Sequence, residues 1–292
     1  LNTTARVSRE LPVVVIGHGG EAVRQALGEQ AETVVQAEQL GTGHAVQQAA
    51  KLLQGSVDLV LVVAADMPLL TEQTLGRLVE TQKSNPGPLT LLTLFADQPR
   101  GFGRIVRDDR QHVQAIVEEA QATPEQLAIK ELNAGAYCFS AAWLWGALPR
   151  IPFSSKGEFY LTDLVEIAVS EGFPVQAVCL DEPGEAIGIN TRVHLAEATQ
   201  LLQARINRDW MLAGVSIIDP ATTYIESTVT LGEDTVIWPN THLRGATRIG
   251  EGCEIGPNTI IHNTTIGDRC RVFSSVLESA AVEEGVDIGP FA

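Results

Sequence analysis

Three parts of this sequence carry residues whose types and spacing can do chemistry. The first is Gln36-Ala37-Glu38-Gln39-Leu40-Gly41-Thr42-Gly43-His44-Ala45. A short strand signal, Thr33 to Gln36, runs into glycines and then into a helix-like stretch, Ala45 to Leu53. Glycines at such a turn let a ligand approach the backbone, and a helix N-terminus favours anions and polar acceptors. A plain connecting loop would carry the same glycines. His44 fits a hydrogen-bonded structural role as well as a ligand contact. The second part is Val63-Ala64-Ala65-Asp66-Met67-Pro68-Leu69-Leu70, where a carboxylate ends an apolar run. Open α/β sheets bind ligands at that end of their strands. A carboxylate buried there costs desolvation unless it is paired or holds a metal; an Asp that only shapes the turn is the alternative. The third part is an ordered set: Gly101-Phe102-Gly103-Arg104-Ile105, Ile116-Val117-Glu118-Glu119, Glu131-Leu132-Asn133-Ala134-Gly135, Gly157-Glu158-Phe159-Tyr160-Leu161-Thr162-Asp163 and Gly188-Ile189-Asn190-Thr191-Arg192. Each string is ordinary alone, and their order is the signal. No nucleophilic triad stands out.

These residues need elements to position them. Pro12 to Ile16 is a β-branched run ending in Gly17-His18-Gly19-Gly20, followed by helical sequence from Glu21 to Leu27. Val57 to Ala64 is an apolar run but for Asp58, which predicts a strand buried on both faces of a parallel sheet. Strands alternating with helices read as βαβ units of a Rossmann-like α/β domain. Thr191 to Leu212 has the composition of a long connecting helix, with Gly214 as its stop.

Beyond it the pattern changes. Ile225, Leu231, Ile237, Leu243, Ile249, Ile255 and Ile261 stand at a strict period of six; after a slip, Ile266 and Val272, then Val282 and Ile288, resume it. Period six is neither strand nor helix but the hexapeptide repeat of a left-handed parallel β-helix, each repeat forming one face of a triangular coil. The expected boundaries are 1–190 for the α/β domain, 191–213 for the helix and 214–292 for the first β-helix coils.

The chain has 292 residues, 45% of them apolar and 19% charged, with a net charge of −16. That excludes non-specific binding to nucleic acid, which needs a basic face. It leaves anionic substrates open, because a metal can reverse the local field. Four cysteines without C-x-x-C spacing read as reduced thiols of a cytoplasmic protein. No apolar run reaches the roughly 18 residues of a membrane helix. The chain opens at Leu1 and its coils run to Ala292 without a visible cap, so the sequence reads as truncated at both ends.

Taken in order, the motifs resemble the bacterial bifunctional N-acetylglucosamine-1-phosphate uridylyltransferase/glucosamine-1-phosphate N-acetyltransferase family, the UDP-N-acetylglucosamine pyrophosphorylases of cell-wall and lipopolysaccharide precursor synthesis. The stretches Gln36 to Ala45 and Gly157 to Asp163 carry most of the likeness, which covers essentially the whole chain. The resemblance implies an enzyme that joins UTP and N-acetylglucosamine 1-phosphate into UDP-N-acetylglucosamine and pyrophosphate. It implies Mg²⁺ as cofactor and a homotrimer built through the β-helix. Gln36, Gly41 and Thr42 match the uracil contacts. Gly103, Glu118 and Asn133 match the N-acetylglucosamine contacts. Asp66 and Asn190 match the metal ligands, and Ala64 and Ala65 stand where the family has an aromatic or Asn followed by Gly beside the nucleotide. Ala120-Gln121 replaces the family's Lys-Asp. The family's L-x-A-G-x-G-T-R-M loop and P-K-x-L lysine fall before Leu1, and its acetyl-CoA site, which acetylates glucosamine 1-phosphate, falls in coils after Ala292. The segment is therefore expected to bind nucleotide sugar weakly and turn over poorly. The alternatives are a different hexose-1-phosphate nucleotidyltransferase, or a non-catalytic sugar-nucleotide-binding or trimerising scaffold.

Overall fold

In the computed structural model, which describes residues 1–292, the chain divides into two units, Leu1–Ile189 and Asn190–Ala292. The first unit opens with a short helix that carries no apolar periodicity, α1 (Asn2–Ser8), and β1 (Val13–Ile16). Then come α2 (Gly20–Leu27), β2 (Glu32–Val35), α3 (Thr42–Gln48), α4 (Ala50–Leu53) and β3 (Leu59–Val63). β1 and β2 form a parallel pair, Val13 opposite Glu32 and Ile16 opposite Val35. The chain continues with α5 (Glu72–Ser84), β4 (Leu89–Phe95), β5 (Arg104–Arg107), β6 (Val113–Val117), α6 (Pro124–Leu127), β7 (Glu131–Ser140), α7 (Ala141–Ala147), α8 (Asp163–Ser170) and β8 (Gln176–Cys179). The main sheet has the order β6-β5-β7-β4-β8, with β3 also on β7.

β4 and β7 are buried along nearly their whole length, and period-two alternation sends their side chains to two cores. Leu89 and Leu91 join Tyr137, Phe139 and Leu164 in a core on one face. Leu92 and Leu94 join Leu132, Cys138, Leu75 and Leu78 on the other.

The expectation of a doubly buried strand in a parallel sheet needs correction at β3. It runs antiparallel to β7, Leu59 opposite Ser140 and Val63 opposite Ala136, and it is mostly half-buried. β7 is long enough to serve β4 along one edge and β3 and β5 in turn along the other. Its side chains reach both cores, Val60 and Val62 on one face and Leu59, Leu61 and Val63 on the other, but with a ladder partner on one edge only the strand is mostly half-buried. The parallel pair in this sheet is β4 with β8.

The second unit begins with α9 (Arg192–Leu212), capped by the Thr191 hydroxyl, which accepts the His194 N–H at 3.1 Å. After it, short parallel strands form the three sheets of a left-handed β-helix. Ile225, Leu243, Ile261 and Leu277 stack along one sheet. Leu231, Ile249, Ile266 and Val282 stack along the second. Ile217, Ile237, Ile255, Val272 and Ile288 stack along the third. Their side chains make the core, with Cys253 and Cys270 inside it; each fully buried aliphatic contributes about 1.5–3 kcal/mol. Fully buried threonines turn the corners: the Thr241 hydroxyl donates to Trp238 O and that of Thr247 to Arg244 O, both at 2.6 Å. No helix is long and apolar enough to cross a membrane.

Candidate active site

Gln36 follows β2 directly and is half-buried. Its Nε2 donates to Gly41 O at 3.0 Å and meets His44 Nδ1 at 3.0 Å. The other side of that imidazole faces Gln48, Nε2 to Nε2, at 3.1 Å. His44 is thus held by hydrogen bonds within the loop and the first turns of α3. That helix opens at Thr42, three residues before the sequence pattern suggested, so Thr42 and His44 lie in its first turn.

The glycines of this loop face protein and not open space. Gly41 has φ +97°, and a Cβ there would stand 2.7 Å from Phe159 O and 2.8 Å from Phe159 N. Three further bonds fasten the two segments: Phe159 N–H to Leu40 O at 2.7 Å, Gly43 N–H to Phe159 O at 2.8 Å, and Leu161 N–H to Thr42 Oγ1 at 2.9 Å. Close approach is what these glycines permit, as their spacing implied, but the approaching backbone is that of Phe159.

The stretch from Glu158 to Asp163 then reaches a second group. Thr162, buried, donates its hydroxyl to Glu118 Oε1 at 3.0 Å. A Cβ on Gly103 would lie 3.7 Å from the same Glu118 oxygen. The Gly103 carbonyl accepts the Asn133 N–H at 2.9 Å. Gly103, Glu118 and Asn133, which lie far apart in sequence, are therefore neighbours. Arg104, fully buried, ties Glu119 at 3.0 Å and also donates to Phe102 O, which anchors the loop that carries Glu118. Tyr137 joins the group: Asn133 Nδ2 donates to its hydroxyl at 2.6 Å. Burial, opposed in part by that bond, pushes the Tyr137 hydroxyl well above the usual phenol range, and the Glu118 charge adds to the shift.

Ala64, Ala65 and Asp66 follow β3 and are exposed. The desolvation argument for Asp66 therefore falls away: its carboxylate is in solvent and has no hydrogen-bond or ion-pair partner. Its backbone carbonyl accepts the Ile189 N–H at 2.9 Å. The next residue, Met67, reaches within 3.7 Å of where a Cβ on Gly135 would stand. Asn190 follows Ile189 in the chain; it is exposed, and its backbone N–H donates to His194 Nδ1 at 3.4 Å. Thr162, Tyr137 and Phe159 were not singled out by sequence. Thr162 and Phe159 sit inside a quoted string, whereas Tyr137 left no signal. A cavity of about 430 Å³ lies beside Gln36, lined also by Gly17, His18, Val35, Ala37 and Gln39.

Asp163 has a titration consequence. Partial burial, then the charges of Glu166 and Glu118, push its carboxyl up to about 6 from 3.8. A carboxyl whose folded pKa is raised binds its proton more tightly in the folded state, so it weakens folding at neutral pH and stops doing so as pH falls from about 6 toward 3.8. Asp163→Asn is expected to raise the melting temperature at pH 8, with the gain over wild type shrinking steadily to pH 4. A gain that is constant across that range would show that Asp163 does not titrate in this way.

Comparison with known proteins places the chain. The nucleotidyl transferase family profile matches residues 10–203, and the bacterial transferase hexapeptide (six repeats) profile matches residues 228–263. The chain is similar to proteins named bifunctional protein GlmU. It is 48% identical to the one from Heliobacterium modesticaldum over 96% of this chain and 62% of that protein. It is 40% identical to the one from Shouchella clausii over 100% of this chain and 64% of that protein. For Enterococcus faecalis the identity is 42%, over 96% and 61%. The chain thus spans a little under two thirds of the length of these relatives. With the profile covering more than half of it, the chain belongs to the nucleotidyl transferase family.

Proposed function

We propose that the first unit transfers uridylyl from UTP to N-acetylglucosamine 1-phosphate. The observation that carries this reading is the bridge from Glu158 to Asp163, which fastens the Gln36–Thr42 loop at one end and Glu118 at the other. One segment thereby couples a base-binding loop to a sugar-binding group, as a joining reaction requires. Gln36, Gly41 and Thr42 hold the uracil, and Ala64 and Ala65 lie along the nucleotide. Gly103, Glu118 and Asn133 hold the sugar. A phosphate oxygen of the sugar phosphate attacks the α-phosphorus of UTP in line. The new P–O bond forms as the bond to the β-phosphate oxygen breaks, and pyrophosphate leaves with that electron pair. Asp66 and Asn190 are the metal ligands of this reading. Both present oxygen donors, which suit a hard ion that keeps most of its water, such as Mg²⁺. The free Asp66 carboxylate is an oxygen ligand of the right kind. Bound there, Mg²⁺ would neutralise charge on the phosphates.

The bifunctional name of the relatives and the hexapeptide match extend the reading to the second unit. It is the scaffold of an acetyl-CoA-dependent acetyl transfer to glucosamine 1-phosphate, and its faces pack into a homotrimer. The four free thiols suit the cytoplasm, where UTP is made.

The test is pyrophosphate release from UTP and Mg²⁺ with a panel of sugar 1-phosphates, alongside titration of UDP-N-acetylglucosamine. Slow release that depends on N-acetylglucosamine 1-phosphate, and falls by at least 10²-fold in Asp66→Ala, is the expected result. Preference for another hexose 1-phosphate would reassign the substrate, and binding without any turnover would favour the scaffold.

A further inference from the structure

β7 is interrupted where the sugar group lies. On its partner β4, Leu91 pairs with Tyr137 and Thr93 pairs with Asn133, so one β4 residue faces the three residues Ala134, Gly135 and Ala136. In a regular strand, side chains four residues apart are about 13 Å from each other and cannot touch. The bulge shortens that path until Asn133 Nδ2 meets the Tyr137 hydroxyl at 2.6 Å. Gly135 makes the bulge possible with φ +70°, a conformation that other residues adopt at a cost. Its own N–H donates to Asn133 Oδ1 at 3.1 Å.

These two bonds fix the carboxamide. A backbone N–H can only donate, so the amide oxygen must face Gly135 and the amide nitrogen must face Tyr137. The hydroxyl, which can act either way, here accepts. One N–H of Asn133 remains unspent, while the Glu118 carboxylate across the group takes the Thr162 hydroxyl on Oε1. Asn133 and Tyr137 are both buried, so an error in the carboxamide's orientation cannot be corrected by bulk water.

We infer that Tyr137 is a positioning residue of the sugar subsite: across the β7 bulge it locks Asn133 so that its remaining N–H is offered to an acceptor oxygen of the sugar. This rests on the sugar-binding role given to Asn133 above. Tyr137→Phe removes the lock and keeps the ring that stacks on Phe139, whose centroid is 5.7 Å away.

The experiment is a double-mutant cycle on the full chain, with UDP-N-acetylglucosamine and UDP as two probes for wild type, Tyr137→Phe, Asn133→Ala and the double variant. Wild type is expected to bind the sugar nucleotide more tightly than UDP. Tyr137→Phe should weaken UDP-N-acetylglucosamine about tenfold, the worth of one hydrogen bond, and leave UDP unchanged. The double variant should be no weaker than Asn133→Ala, since Tyr137 acts only through Asn133. Additive losses, no loss, or equal losses for the two probes would each overturn the inference while leaving the uridylyl-transfer reading intact. Equal affinity of wild type for the two probes would overturn the sugar subsite itself, and the inference with it.

Discussion

Ile249→Asp is expected to destabilise the β-helix by at least about 4 kcal/mol, while Glu251→Lys two residues away changes stability by less than about 0.5 kcal/mol. Ile249 is 4% exposed and stacks between Leu231 and Ile266. Replacing it removes an aliphatic burial of about 1.5–3 kcal/mol and leaves a carboxylate among apolar side chains with nothing to pair it. A coiled repeat contacts only its neighbours, so the loss reaches the coil on each side. Glu251 is exposed, and the bonds made at that position are backbone ones, chiefly its N–H to Asp268 Oδ1 at 2.9 Å and its carbonyl accepting from the Arg269 N–H at 2.8 Å. A lysine keeps both. Denaturant titration of the two variants, followed by a signal from the second unit, reads the difference directly. Equal midpoints would mean that the period-six residues do not form the core.

This pair also marks how far the sequence could be read in the second unit. A period of six is legible because every sixth side chain has the same fate, and burial of an aliphatic residue tolerates no polar substitute. The slip after Ile261 is legible as an event but not in its consequence. Successive coils shorten: Ile225 pairs with Leu243, Ile249 with Ile266 and Ile261 with Leu277, so the spacing falls from 18 to 17 to 16 residues. Leu277 therefore escaped the spacing rule although it lies on the first sheet. The corner threonines were equally silent, because a buried hydroxyl that donates to a carbonyl looks in sequence like any polar turn residue.

In the first unit, the local chemistry was easier to see than the pairing. Val57 to Ala64 is apolar but for Asp58, and the strand Leu59–Val63 exists, yet its antiparallel direction against β7 depends on which strand lies beside it. Periodicity carries no such information. The glycine loop shows the same limit: Gly41 could be read as a point of close approach, but only the fold shows that Phe159 comes close. Tyr137 was invisible because its role depends on a bulge, and a bulge is a matter of register. Asp66 was legible by position, whereas its exposure was not.

Gly41→Ala is expected to cost the first unit about 3 kcal/mol or more and to weaken uridine nucleotide binding at least tenfold. Two separate costs add. At φ +97° and ψ 179° the backbone is in a region that L side chains rarely adopt, which costs about 1–3 kcal/mol. The new methyl would also sit 2.7–2.8 Å from Phe159 backbone atoms. That backbone cannot retreat, because its N–H is bonded to Leu40 O and its carbonyl accepts from Gly43 N. Relief comes only by opening the zipper between the loop and residues 158–161, which releases Gln36 and Thr42 from their places. Two other glycines separate the costs. Gly55 has φ +80° with nothing within 4 Å, so Gly55→Ala should show the conformational cost alone and leave binding untouched. Gly43 lies inside α3, where a methyl would meet the movable end of Ile151 at 2.7 Å, so Gly43→Ala should fall between the other two in stability. Thermal melts and UDP titrations of the three variants give the order. If Gly41→Ala matched Gly55→Ala in both, the contact with Phe159 would not be what the loop depends on.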